Sequence, residues 1–164
     1  MKRFILVLLL VLSIAPAWAV GESGLDLGRS YVRADAGTTG TFPTGDAYYI
    51  ATFPTIIKDV NGEYDGAGTF TSKRKGRFDI RVQLTTYATA AQVGRVALYV
   101  NGTLLENRSR TIPITEYTPL DYTFTVDLNV SDTVAVYLAS SATGYSVYNQ
   151  AGIGSSTLVI EQTY

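Results

Sequence analysis

The sequence predicts an all-β protein, folded as an antiparallel sandwich, and three observations carry that expectation. Apolar residues recur with a period of two, and no segment shows a helical stripe. Turn-forming pairs interrupt the chain at short intervals: Asn61-Gly62, Asp65-Gly66, Asn101-Gly102 and Ser131-Asp132, with single glycines at Gly68, Gly76 and Gly144. The composition suits strands, with 12 Tyr, abundant Thr and Val, and one Met, the first residue.

Taken in order, the chain opens with the three parts of a secretory signal. Lys2 and Arg3 supply positive charge, Phe4 to Ile14 form a nearly unbroken apolar run, and Ala17-Trp18-Ala19 has the small-x-small pattern of a cleavage site. The run is shorter than the roughly 20 apolar residues a membrane span needs. Residues 1–19 are therefore expected to be removed, leaving a secreted or cell-surface protein with no stable membrane insertion. Residues 20–30 read as a short polar leader. Gly21 and Gly24 are three apart, but Leu27 breaks any collagen-like repeat. Residues 31–164 then form one domain of ordinary size.

Within that domain the clearest strand has Phe78, Ile80, Val82 and Leu84 alternating with Arg77, Asp79, Arg81 and Gln83, one face dry and the other wet. Tyr122, Phe124, Val126 and Leu128 repeat the pattern, as do Val134, Val136 and Leu138. Val96, Leu98 and Val100 belong to a strand apolar on both faces, as does the stretch from Thr157 to Ile160. No repeat of propeller or solenoid length is present.

The residues available for chemistry narrow the function. With no His and no Cys, the common nucleophile-base pairs, zinc sites, disulfides and thiol-linked lipid anchors cannot be built. Removing Lys2 and Arg3 with the signal takes the 13 basic residues to 11 against 14 acidic ones, a net charge of −3. Such a balance does not suit a general nucleic-acid binder, which must neutralise many phosphates. No catalytic residue and no cofactor are expected. The one cation considered is Ca²⁺, with Asp59, Asn61, Glu63 and Asp65 as candidate ligands at alternate positions. Their spacing departs from the EF-hand loop, with Tyr64 where its Gly should stand and Phe70 where its bidentate Glu should stand, so turn formation explains them better. Lys73, Arg74, Lys75 and Arg77 form a basic run that could attract anionic glycans or lipid headgroups, although a solvated loop accounts for it more simply. Asn101, Asn107 and Asn129 begin Asn-x-Ser/Thr sequons, which matter only in a host that glycosylates exported proteins.

The order of these features resembles a known family. From Phe53 to Phe78 the chain reads aromatic, turn, Asn61-Gly62-Glu63-Tyr64-Asp65, then Gly68-Thr69-Phe70-Thr71, then Gly76 and the aromatic strand. This is similar to the opening signature of C1q-like domains. Val96-Ala97-Leu98-Tyr99-Val100-Asn101-Gly102 resembles that family's apolar-Tyr-x-Asn-Gly hairpin, and Leu128 to Val136 resembles its strand, Gly-Asp turn and strand, with Ser131 replacing Gly. The resemblance implies a ten-stranded antiparallel jelly-roll β-sandwich, C1q/TNF-like, assembled as a homotrimer. In that picture Gly62, Gly68 and Gly76 permit tight turns, and Tyr64, Phe70 and Phe78 fill the space between sheets. Phe124 and Val126, with Tyr148 and Tyr164, are the candidate trimer-interface residues. Two departures are plain: no collagen stalk precedes the domain, and Ile153 to Leu158 lack the aromatics of the family's last strand. The leading expectation is a secreted trimeric recognition module that contacts a glycan, a protein or a cell surface. A structural subunit of a surface layer, fibre or virion is the alternative. A polysaccharide-active enzyme is the third reading and would need two carboxylates facing across a cleft.

Overall fold

A computed structural model describes residues 28–37, 40–42, 46–142, 145–149 and 155–164. The expected signal at 1–19, most of the leader and the turn at Gly144 lie outside the described residues. The strands are β1 (Tyr31–Asp35), β2 (Gly40–Phe42), β3 (Tyr49–Ile50), β4 (Thr55–Asp59), β5 (Thr69–Thr71), β6 (Gly76–Ala88), β7 (Gln92–Val100), β8 (Thr103–Ile112), β9 (Tyr117–Leu128), β10 (Thr133–Ser140), β11 (Tyr145–Tyr148) and β12 (Thr157–Gln162). The count is twelve among the described residues where ten were expected. β2, β3 and β5 have only two or three residues each, so the difference lies in short pieces added along longer neighbours.

The strands form two antiparallel sheets. In the seven-stranded sheet the long β6 is the organiser: β9 runs along one side of it, while β12 and β11 share the other side end to end. β12 continues to β1 and β4, and β11 to β2. The five-stranded sheet runs β8, β7, β10, with β5 and β3 against successive parts of the far side of β10.

The period-two residues meet between the sheets as their pattern requires. Phe78, Ile80, Val82 and Leu84 of β6 and Phe124 and Leu128 of β9 face Val96 and Leu98 of β7 and Val134, Val136 and Leu138 of β10, all nearly or fully buried. At one end Phe53, Tyr64, Phe70 and Phe78 close the sandwich, and the rings of Phe70 and Phe78 meet edge to face at 5.7 Å.

Two glycines of the signature serve different needs. Gly68 has φ +118, and a Cβ there would lie 2.9 Å from the Ala51 carbonyl oxygen, so both backbone and space require glycine. Gly76 has no left-handed backbone. Its missing Cβ instead makes room for the Tyr164 carbonyl and the Gln162 amide, so it permits close approach where a tight turn was expected. Ser131, standing where the resembling pattern has Gly, does take a left-handed φ of 73.

Tyr64 shows what burial does to a polar tip inside this core. Its hydroxyl accepts the Phe53 N–H at 3.2 Å, and burial pushes its pKa up to about 12, with a smaller push from Asp65. Burial also raises the pKa of Tyr145, with a further push from Tyr122. Because both tyrosines hold their protons longer folded than unfolded, the unfolded chain binds fewer protons above its ordinary pKa near 10. Stability is therefore expected to be flat below that pH and to fall as pH rises toward 12. Urea midpoints measured across pH 9 to 12 should show this slope, flattened in Tyr64→Phe and again in Tyr145→Phe; an unchanged slope in both variants would refute it.

Candidate functional site

The cation-ligand candidates sit in the loop between β4 and β5, and each carboxylate serves the backbone. Asp59 accepts the N–H groups of Asn61 at 3.3 Å, Glu63 at 3.0 Å and Tyr64 at 2.9 Å. Asp65 accepts those of Ala67, Gly68 and Thr69 at 2.7 to 2.9 Å. Glu63 is buried and accepts from the Ser30 hydroxyl, the Lys73 N–H and the Asn61 side chain. Among the described residues no three acidic groups gather as a metal site. Chemically this arrangement is a set of caps that gives the turn its shape.

The sequon asparagines are also engaged. Asn101 Nδ2 donates to Asp132 at 2.9 Å and its Oδ1 accepts the Thr133 N–H at 2.8 Å. Asn129 donates its N–H to Asp132 at 2.7 Å, and Asn107 Nδ2 donates to the Tyr48 hydroxyl at 2.7 Å. The Asn101 and Asn129 bonds hold the Asp132 carboxyl below the usual range.

The interface candidates scatter. Phe124 is 1% exposed and belongs to the core, and Val126 is half-buried against it. Tyr164 is 80% exposed at one end of the sandwich. Tyr148 is half-buried, and the fold brings it together with two residues that the sequence did not single out. Its ring lies 5.1 Å from that of Tyr117 and 6.0 Å from that of Tyr87, and Tyr87 and Tyr117 are 5.2 Å apart. Tyr87 and Tyr117 are paired in the β6–β9 register. The three rings form one aromatic cluster on the outward face of the seven-stranded sheet, with Tyr117 47% exposed.

Elsewhere on that face, charge is banded. Lys58, Arg33 and Arg81 share a row that passes through Val159. On one side lies a row containing Glu161 and Asp79, and on the other a row containing Asp35 and Asp121. Asp79, Arg81, Thr123, Val159 and Glu161 enclose a shallow hollow of about 120 Å³. A larger groove of about 430 Å³ opens at the end of the sheet, lined by Lys75, Gly76, Arg77, Asp127, Leu128, Asn129 and Tyr164. A second tyrosine group, Tyr48, Tyr99 and Tyr137, lies by the five-stranded sheet, with the Tyr99 and Tyr137 rings 4.4 Å apart. Pattern reading missed these groupings because their members come from strands distant in sequence. The abundance of tyrosine was its only signal.

No protein-family model matches the sequence, and no curated protein matches it by sequence. In three dimensions the chain is similar to the globular domain of zebrafish complement 1qA protein, with TM-score 0.58, 12% identity, and 82% of this chain covering 98% of that one. Murine APRIL at pH 5.0 is similar at TM-score 0.58 and 11% identity, again over 82% of this chain and 98% of that one. Eiger TNF from S. frugiperda follows at TM-score 0.56 and 9% identity, over 83% and 92%. The chain is thus a jelly roll of the C1q/TNF type. Among the described residues no helix is long and apolar enough to cross a membrane.

Proposed function

We propose that the protein is an extracellular recognition module that assembles as a homotrimer through the outward face of its seven-stranded sheet. The observation that carries this reading is the aromatic cluster of Tyr87, Tyr117 and Tyr148, which leaves apolar ring surface in water on a regular sheet face. The banded charges support it, because a cationic row between two acidic rows can pair with a shifted copy of itself. The threefold order comes from the C1q-like resemblance and the shared fold. No catalytic role is assigned.

Light scattering on the purified protein is expected to give three times the subunit mass. Tyr117→Arg combined with Tyr148→Arg should give monomers with unchanged circular dichroism. A monomeric unmodified protein at micromolar concentration would overturn the reading.

One observation favours the structural alternative. β8 is a ten-residue edge strand, exposed on both faces over most of its length, with Leu104 47% and Leu105 55% exposed. Such an edge is a template for lateral pairing with another chain. Electron microscopy at high protein concentration separates the two readings, since fibres or sheets would favour the structural subunit and isolated particles the closed trimer.

A further inference from the structure

We infer that Tyr99 and Tyr137 form an oxidative cross-linking site, at which a one-electron oxidant of the peroxidase type joins the two rings into a dityrosine within one subunit. The inference goes beyond the proposed assembly, because the pair stands on the outward face of the five-stranded sheet, away from the face that carries Tyr87, Tyr117 and Tyr148.

The chain directs oxidation to tyrosine. It has no Cys and no His, and its one Met and one Trp are Met1 and Trp18, inside the expected signal. Residues 20–164 therefore hold no thiol, thioether, imidazole or indole to give up electrons first, and all 12 Tyr lie among them. An oxidising compartment cannot give this chain a disulfide, so electrons withdrawn from its side chains come first from phenol rings.

Strand register sets the pair. Tyr99 lies opposite Ala135 and Tyr137 opposite Ala97 in the β7–β10 ladder, so the two tyrosines are diagonal neighbours on one face, each beside a small side chain. Their ring centroids are 4.4 Å apart with 45° between the planes. The rings of Tyr87, Tyr117 and Tyr148 are farther from one another, at 5.1 to 6.0 Å. Tyr48 stands 6.3 Å from Tyr99, and its hydroxyl accepts Asn107 Nδ2 at 2.7 Å. Tyr99 and Tyr137 are both half-buried, so an oxidant reaches them while each has the other as its nearest ring.

In the reaction each phenol loses one electron and its hydroxyl proton, and the two radicals join through ring carbons beside the oxygens. The hydrogens on those carbons move to the oxygens and restore both phenols, so one carbon–carbon bond forms and two hydrogens are lost. Hydrogen peroxide takes both electrons and both protons, its O–O bond breaks, and it leaves as two waters. The ring centres of a biaryl stand two ring radii and one bond apart, close to the spacing already present. The rings must turn, but the strands need not move. The new bond closes a loop that contains β8 and β9, and it restricts the unfolded chain as a disulfide would.

The test is treatment of the dilute purified protein with hydrogen peroxide and a haem peroxidase, followed by dityrosine fluorescence, denaturing electrophoresis and peptide mapping by mass spectrometry. Fluorescence is expected in the band at subunit mass, with a linked peptide pair containing Tyr99 and Tyr137 that is two hydrogens lighter than its parts. Tyr99→Phe and Tyr137→Phe should each remove that peptide pair and most of the fluorescence at subunit mass, whereas Tyr48→Phe should retain both. The linked protein should unfold roughly 10 °C above the untreated protein, a gain that neither the Tyr99 nor the Tyr137 variant shows. No link at subunit mass, links confined to other tyrosines, or an equal yield from Tyr99→Phe would overturn the site. A linked protein with an unchanged unfolding temperature would overturn its action as a staple. A monomer that forms the link supports the site while refuting the assembly, and a trimer that does not form it refutes the site alone.

Discussion

Phe78→Ala is expected to lower stability by about 3 to 5 kcal/mol, read as a shift of the urea midpoint with the slope unchanged. Phe78 is fully buried, meets Phe70 edge to face, and lies opposite Val126 and Gln162 on its two neighbouring strands. Truncation removes the ring's transfer free energy and leaves a cavity that two hydrogen-bonded neighbours prevent from collapsing. Phe78→Leu, which keeps most of the volume, should cost less than half as much. On the same strand Gln83 points to solvent, so Gln83→Ala should stay within about 0.5 kcal/mol. If Phe78→Ala and Gln83→Ala cost the same, the assignment of the two faces of β6 is wrong.

The second large effect comes from a polar residue. Glu63→Ala should cost about 3 kcal/mol, because charged hydrogen bonds contribute more than neutral ones and their loss leaves donors without partners. Glu63 is 3% exposed. One oxygen accepts the Ser30 hydroxyl at 2.9 Å and the Lys73 N–H at 2.8 Å, and the other accepts Asn61 Nδ2 at 3.3 Å. These partners come from the stretch before β1, the loop after β5 and the turn after β4, so one carboxylate joins three segments. Glu63→Gln keeps an acceptor for Ser30 and Lys73 but sets an amide donor against Asn61, and should cost roughly a third as much. Thermal unfolding of both variants checks the order; a Gln variant as damaged as the Ala variant would contradict this division between the two oxygens.

The signature from Asn61 to Phe78 was legible because turns and strands are local. Asp59 and Asp65 cap amides within five residues of themselves, and Gly68 meets a backbone demand in its own loop. β8 was not legible. An edge strand exposed on both faces has no buried side to impose alternation, and Thr103 to Arg110 carry none. Tyr148 was chosen for the interface without its partners, and Phe124 turned out to belong to the core.

By itself, the sequence determined the sandwich. Period-two apolarity in β6, β9 and β10 assigns one face to the core, and the turns between strands set how often the chain reverses. Only the tertiary structure decided which outward residues stand together. Tyr87, Tyr117 and Tyr148 come from three strands, and Lys75 and Tyr164, from either side of more than half the chain, line one groove. Burial is imposed residue by residue and leaves its period in the chain, whereas surface neighbours depend on strand order and register, which no local pattern encodes.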